Sequence, residues 1–325
     1  MSNEVDILEN DIRERFPEVL ETLLCDRTTK KNIFWATDNY RRLGRDYKFM
    51  SPITSNLITG KKGDVITPRV KKSLSVQKAR SKDMAEVFTP AWVCNAQNNL
   101  IDDAWFGREN AFNKEVRNDG VNGWEATKEK ITFPEGKSWK DYVSDIRLEI
   151  TCGEAPYVTS RYDATTGNII PVGERIGILD RKLRVVNENC DAKDAWLAAV
   201  EDAYKSTYAY EWQGDSLLLA REAMLYAFLD NYAYKFGGEP ELAYIQKIAD
   251  IVSWNVWQMD GLKCVVPCSC KDVEEVSSDF FAGDKVTKIP CEGCAKENIK
   301  KHNGIYCKIK DWQENKVIQF ESLVK

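Results

Sequence analysis

Six of the chain's ten cysteines fall between Cys264 and Cys307. Within that stretch, Cys268-Ser269-Cys270 and Cys291-Glu292-Gly293-Cys294 form two pairs, with Cys264, His302 and Cys307 nearby. Two thiolate pairs on tight turns can surround a zinc ion tetrahedrally, and Gly293 suits such a turn. Cys268, Cys270, Cys291 and Cys294 are therefore the expected ligands of a structural zinc, with His302, Cys264 or Cys307 able to replace one. The segment is too poor in apolar residues to fold unaided, so the metal would hold it together. The alternative is a set of reduced surface thiols. Cys25, Cys94, Cys152 and Cys190 are scattered and read as buried thiols.

A second group of chemically capable residues lies at strand ends. Arg147-Leu148-Glu149-Ile150-Thr151 reads as a short buried strand closed by Cys152-Gly153-Glu154-Ala155-Pro156. A small turn there lets backbone approach a ligand at the carboxyl ends of parallel strands. Glu211, in Tyr210-Glu211-Trp212, can accept ribose hydroxyls at a second strand end, or can be an ordinary exposed carboxylate. Asp260, before Gly261, is either a turn former or an acceptor for the exocyclic amine of an adenine. Glu86-Val87-Phe88-Thr89-Pro90 reads as a helix start with proline in its first turn, or as a lid whose Thr hydroxyl meets a ligand carboxylate.

The elements that must position these residues follow from periodicity. Apolar residues recur at helical spacing from Ala91 to Asp103 (Trp92, Val93, Ala96, Leu100, Ile101). Asp194–Ser206, Ser216–Tyr234 and Leu242–Ile251 carry stronger helical patterns. Thr207–Trp212 and Val252–Trp257 are strand-like runs between them. Strands separated by helices of this length predict parallel βαβ units, and so an α/β, doubly wound, Rossmann-like sheet covered on both faces. Three regions are expected: residues 1–83, helical and then basic and extended; 84–263, the α/β domain; and 264–325, a cysteine-rich zinc-ribbon-like unit ending in a hairpin around Glu314-Asn315-Lys316.

Composition excludes several classes. The net charge of −5 rules out a chain that holds nucleic acid by overall charge, so any such contact needs a local patch. The densest basic stretch supplies one, with Lys61, Lys62, Arg69, Lys71 and Lys72 as DNA-contact candidates; its other reading is a solvated arm. No apolar run approaches the length of a membrane span. The acidic start, MSNEVDILENDIRERF, does not read as a signal peptide, and a cytoplasmic location is expected. With one histidine, a Ser-His-Asp triad or a multi-histidine centre would have to be built around His302. No Gly-x-Gly-x-x-Gly is present, which disfavours a nicotinamide-dinucleotide enzyme.

Taken in order, EVFTPAW, RLEITCGEAPYVTSRYD and YEWQGDSLLLARE, followed by Asp260, resemble the S-adenosylmethionine half of DNA N6-adenine methyltransferases. The likeness is to the methylase (M) subunits of bacterial restriction–modification systems, and it covers roughly residues 80–325. Carried over position by position, it implies that Phe88, Thr89 and Pro90 border the methionine carboxylate. Glu149 and Cys152, Gly153, Glu154, Ala155, Pro156 and Tyr157 would wrap the methionine end. Glu211, with Trp212 beside it, would take the ribose, and Asp260 the adenine. The family places an Asn-Pro-Pro-Tyr motif last, where it grips the flipped target adenine. This sequence contains no Pro-Pro dipeptide, and one glycine of the family's turn is replaced by Glu154-Ala155-Pro156. The resemblance therefore implies a cofactor-binding component acting with DNA and with a companion methyltransferase or restriction subunit that carries the catalytic motif. A catalytically silent module that binds DNA or protein is the alternative.

Overall fold

The computed structural model describes residue 5 and residues 9–84, 89–279 and 283–324. Its centre is a three-stranded parallel sheet: β1 (Arg147–Ile150), β2 (Thr207–Glu211) and β3 (Val256–Gln258). The pairing sets Arg147 opposite Thr207 and Ile150 opposite Tyr210, then Ala209 opposite Val256 and Glu211 opposite Gln258. Helices α3 (Ile178–Asn189) and α4 (Lys193–Lys205) join β1 to β2. Helices α5 (Gly214–Phe236) and α6 (Leu242–Asn255) join β2 to β3. The strands lie in sequence order, without the reversal of a doubly wound sheet. What the chain builds among the described residues is a mixed α/β fold with small sheets.

Side-chain alternation explains how the sheet is covered. Ala209 and Val256 face a large core shared with α3–α6, whereas Tyr210 and Trp257 point the other way. That second face is covered by a hairpin, β4 (Lys308–Asp311) and β5 (Lys316–Gln319), with Ile309 and the following Phe320 packed on it. The Trp257 ring lies 5.8 Å from Tyr210 and 5.2 Å from Phe320. A helical second layer was expected there; an antiparallel hairpin takes its place.

Helix α5 is buried on every side from Gly214 to Ala233, its charged Asp215 and Arg221 included, and both of these are met by partners in the core. The N-terminal region is not a separate layer. Helix α1 (Pro17–Leu24) places Val19, Leu20, Leu23 and Leu24 in the main core, and the Arg221 guanidinium of α5 donates to the Cys25 carbonyl. At the other end, Cys264 and Cys307 join the Tyr210–Trp257 cluster, so packing is continuous across residues 263 and 264.

Helix α2 (Ala91–Phe106) occurs where periodicity places it, but with its polar side inward. Asn95, Asn98, Asn99 and Asp102 are buried, whereas Trp92, Leu100 and Ile101 are exposed. The cause is the fully buried Arg181 of α3, which donates to Asp102, to Asn95 Oδ1 at 2.9 Å and to Asn99 Oδ1 at 2.8 Å. A buried guanidinium must be matched by acceptors, and this requirement outweighs the apolar stripe. Among the described residues, no helix is long and apolar enough to cross a membrane.

Candidate functional site

The carboxyl edge of the sheet gathers the chemically suggestive residues. After β1 the chain winds through left-handed conformations at Thr151 (φ 52°), Gly153 (φ 57°) and Ala155 (φ 61°). A β-branched residue in that region is an outlier, and such strain concentrates at functional sites. The turn is pinned by Cys152 N–H to the Tyr210 carbonyl (2.9 Å) and by Gly153 N–H to Glu211 Oε2 (2.8 Å). The other carboxylate oxygen of Glu211 accepts from Trp212 N–H (2.9 Å) and Gln213 N–H (3.2 Å). Its carbonyl accepts from Met259 N–H at 3.0 Å, which sets Asp260 beside it. Three segments distant in sequence thus meet at one residue, two through the Glu211 carboxylate and the third through its carbonyl.

Room for a ligand exists beside Gly153, because a Cβ built there would meet nothing within 4 Å. Gly261 is the opposite case: a Cβ would lie 2.7 Å from the Tyr210 ring, so only glycine lets the Asp260 turn rest on it. Asp260 Oδ1 accepts from Leu262 N–H at 3.1 Å, and Oδ2 lies 3.6 Å from Lys263 Nζ. Burial raises the Glu211 carboxyl, although the Gly153, Gln213 and Trp212 N–H groups work against it.

The predicted lid residues reach the same turn. Pro90 offers no side-chain cap to α2, and Asp163 Oδ2 accepts from Ala91 N–H at 2.7 Å instead. Asn98 on α2 donates to the Tyr157 carbonyl (3.1 Å), clamping the 152–158 turn against the helix. Thr89, Cys94 and Glu149 are close enough to the Tyr157 hydroxyl to act on it electrostatically, and Cys94 Sγ donates to the Thr89 carbonyl at 3.7 Å. Burial pushes the Glu149 carboxyl up to about 7 and the Cys94 thiol up to about 12.

Two predicted site residues have other employment. Ala155 is fully buried in the core. The Glu154 carboxylate accepts from Arg69 N–H (2.7 Å) and from the Tyr162 hydroxyl (3.1 Å), so it fastens the basic stretch to the turn. Phe88 lies outside the described residues. Pro156 is half-buried between Ala155 and Tyr157. Neither Asn98 nor Asp163 was singled out by sequence, because an Asn or Asp in a polar run carries no positional signal until its partners are known.

The basic stretch divides. Lys61, Lys62 and Lys71 are exposed, with the Lys62 ammonium over the Tyr47 ring at 5.5 Å. Arg69 is half-buried and also donates to Ser81 Oγ (3.1 Å), and Lys72 is half-buried. Arg80 is not at the surface at all: it pairs with Asp215 at 2.8 Å in the core, and Tyr40 donates to the same carboxylate.

The cysteine-rich segment closes on four ligand atoms. Cys270, Cys291, Cys294 and His302 place theirs within 4.8 Å of one another, an arrangement that can hold a metal ion. His302 Nδ1 lies 3.6, 3.7 and 3.6 Å from the three sulfurs. A tetrahedral zinc with bonds of about 2.3 Å to sulfur and about 2.05 Å to nitrogen requires a separation of about 3.6 Å. Gly293 makes this possible, since a Cβ there would sit 2.7 Å from His302 Nδ1. Burial raises the Cys291 thiol, but the backbone N–H groups of Asn303 and Cys294 outweigh it and hold the thiol below its usual range.

Cys268, one of the four expected ligands, is outside this cluster. It is exposed, and its left-handed backbone (φ 57°) turns the chain before Cys270. His302 takes its place; a Cys-x-x-Cys followed eight residues later by the sole histidine was the available signal. Cys264 and Cys307 are buried in the second apolar cluster, away from the metal ligands, with Cys307 Sγ donating to the Gln258 carbonyl. Comparison of the chain with protein-family models, with curated proteins and with solved structures finds no match.

Proposed function

We propose that the chain is the S-adenosylmethionine-binding component of a DNA adenine-N6 methyltransferase of a restriction–modification system, with a structural zinc in its C-terminal segment. The single observation carrying this reading is the Gly153–Glu211–Met259 junction, which draws the strand-turn, the strand-end acid and the Asp260 turn to one sheet edge. In this reading, β1, β2 and β3 are one half of a Rossmann-like class I methyltransferase sheet.

The residues fit the nucleoside cofactor on acceptor count. A carboxylate oxygen has two lone-pair sites. Glu211 Oε1 uses both on Trp212 and Gln213, while Oε2 uses one on Gly153 and keeps one for a ligand hydroxyl. Among the described residues Asp260 Oδ2 has only the 3.6 Å contact to Lys263, so it can accept from an exocyclic amine. The open space at Gly153 lies along the same edge, where an amino-acid tail would be received by Thr89 and Tyr157.

When bound, the cofactor would supply an electrophilic methyl group. This chain's residues would orient that donor and exclude water from it, which is a positioning role. No acid–base step is assigned to them. The target adenine's amino nitrogen would be gripped by a motif this sequence lacks, and a companion chain is the proposed source. The free edge of β1 supports that: among the described residues β1 pairs on one side only, and Leu148 and Ile150 are exposed. Lys61, Lys62 and Lys71 are the proposed backbone contacts to DNA. A cytoplasmic location follows from this assignment.

Calorimetric titration with S-adenosylhomocysteine tests the reading. Saturable one-to-one binding that Glu211→Gln weakens supports it. Absence of binding leaves the silent DNA- or protein-binding module.

A further inference from the structure

Between Cys268 and Gly304, the buried residues among those described are Cys291, Gly293 and His302, all belonging to the candidate metal site. Among the described residues no apolar core of its own holds this segment, the situation in which a bound metal supplies the folding energy. One hydrogen-bonded link then runs from a metal ligand to Asp260, and a second ties Ser269, beside the ligand Cys270, to Val266 in the same strap. His302 N–H donates to the Tyr306 hydroxyl at 2.9 Å, and Tyr306 forms a bridge with Val265. Val265 in turn bridges Asp260, its carbonyl accepting Asp260 N–H at 2.8 Å. In parallel, Ser269 Oγ accepts from Ile305 N–H (2.9 Å), and Ile305 carbonyl accepts from Val266 N–H (2.8 Å). Gly304 sits against Cys270, where a Cβ would lie 3.0 Å from its sulfur.

Lys263 supplies a third link through charge. Its ammonium, within the 263–266 segment, is 3.6 Å from Asp260 Oδ2. The metal ligands and the acid at the sheet edge therefore share one strap, residues 263–266 with 304–307, from which Lys263 reaches Asp260.

We propose that zinc held by Cys270, Cys291, Cys294 and His302 fixes Asp260 at the sheet edge through this strap, with Lys263 as the positioning residue, so that zinc and nucleoside binding are thermodynamically linked. The linkage to a nucleoside rests on the proposed function; the mechanical coupling of zinc to Asp260 does not. Linkage is reciprocal, so a ligand that engages Asp260 would also tighten zinc.

The test compares the full chain loaded with zinc against the chain stripped by a chelator in reducing buffer. Amide hydrogen exchange is read first. On stripping, the amides of Asp260, Cys264, Val266 and Cys307 are expected to lose about tenfold or more in protection while those of α5 are unchanged. Unchanged strap amides overturn the proposal. Loss of protection throughout, α5 included, overturns it equally, because zinc would then hold the whole fold and not the strap. Calorimetry with S-adenosylhomocysteine is read second, with affinity expected to fall about tenfold on stripping, within the usual range of coupling. Equal affinities in the two states overturn the linkage. If zinc-loaded protein binds no S-adenosylhomocysteine, the nucleoside reading fails and exchange alone decides the strap. Zinc-loaded Lys263→Met should keep its metal and bind about fivefold more weakly, with Lys263→Arg restoring affinity. Unaltered affinity in Lys263→Met overturns the role given to Lys263.

Discussion

The Gly153 N–H donates to Glu211 Oε2 at 2.8 Å, joining two residues 58 positions apart at adjacent strand ends. That bond needs the left-handed backbone at Gly153, and it leaves the space beside its Cα open. A side chain at this position would both strain the turn and fill the space. Gly153→Val should therefore abolish measurable S-adenosylhomocysteine binding by calorimetry while the far-ultraviolet circular dichroism of the chain is retained. Undiminished binding in that variant would remove the turn from the site.

The metal ligands can be sorted by composition alone. Cys294→Ser and His302→Ala should each lose most of their zinc, measured by elemental analysis after purification without chelators, whereas Cys268→Ser should keep it. Gly293→Ala should behave like a ligand loss, because its methyl would press on the His302 ring and backbone. Zinc loss in Cys268→Ser with zinc kept in His302→Ala would restore the set of four cysteines.

The buried pair Arg80–Asp215 makes a stability prediction. Both side chains are essentially inaccessible, at 2% and 0% exposure. Arg80→Met leaves a buried carboxylate without its main partner, which costs about 3–5 kcal/mol in urea unfolding at neutral pH. Burial raises the Asp215 carboxyl, but Arg80 and Lys72 outweigh it and hold it below the usual value of 3.8. A depressed acid contributes stability that is present above its unfolded value and lost as pH falls through its folded one. The variant should therefore show a shallower acid-side loss of stability than the parent chain.

Glu149 has the opposite sign. Its carboxyl is raised by burial from 4.5 to about 7, so the folded chain holds a proton there that the unfolded chain releases. Stability from this group is full below the unfolded value and declines as pH rises from there through about 7. Glu149→Gln should flatten the pH dependence of the unfolding midpoint across that window and raise the midpoint at about pH 8. An unchanged slope would mean that Glu149 is ionised throughout.

What the sequence discloses depends on whether a signal is periodic or relational. The parallel order of Arg147–Ile150, Thr207–Glu211 and Val256–Gln258 follows from strand runs divided by strongly periodic helices and was legible, although Val252–Asn255 of the third run continue α6 and only Val256 and Trp257 of it enter the strand. So was the clustering of Cys270, Cys291 and Cys294. The inward polar face of α2 was not, because it answers partners far off in the chain, Arg181 (86 residues from Asn95) and the Tyr157 carbonyl among them. The hairpin that covers Tyr210 and Trp257 was seen as a hairpin, but nothing local in Ile309 or Phe320 says where it docks. Glu154 looked like part of a ligand turn by type and spacing. Its engagement with Arg69 and Tyr162 is a tertiary fact.

The most direct measurement is calorimetric titration of the zinc-loaded chain with S-adenosylhomocysteine, alongside Glu211→Gln and Asp260→Asn. The account predicts one binding site per chain in the parent, weakened about tenfold or more in each variant, as expected when a buried polar partner is lost. Parent protein that takes up no ligand while retaining its metal and its cooperative unfolding would contradict it.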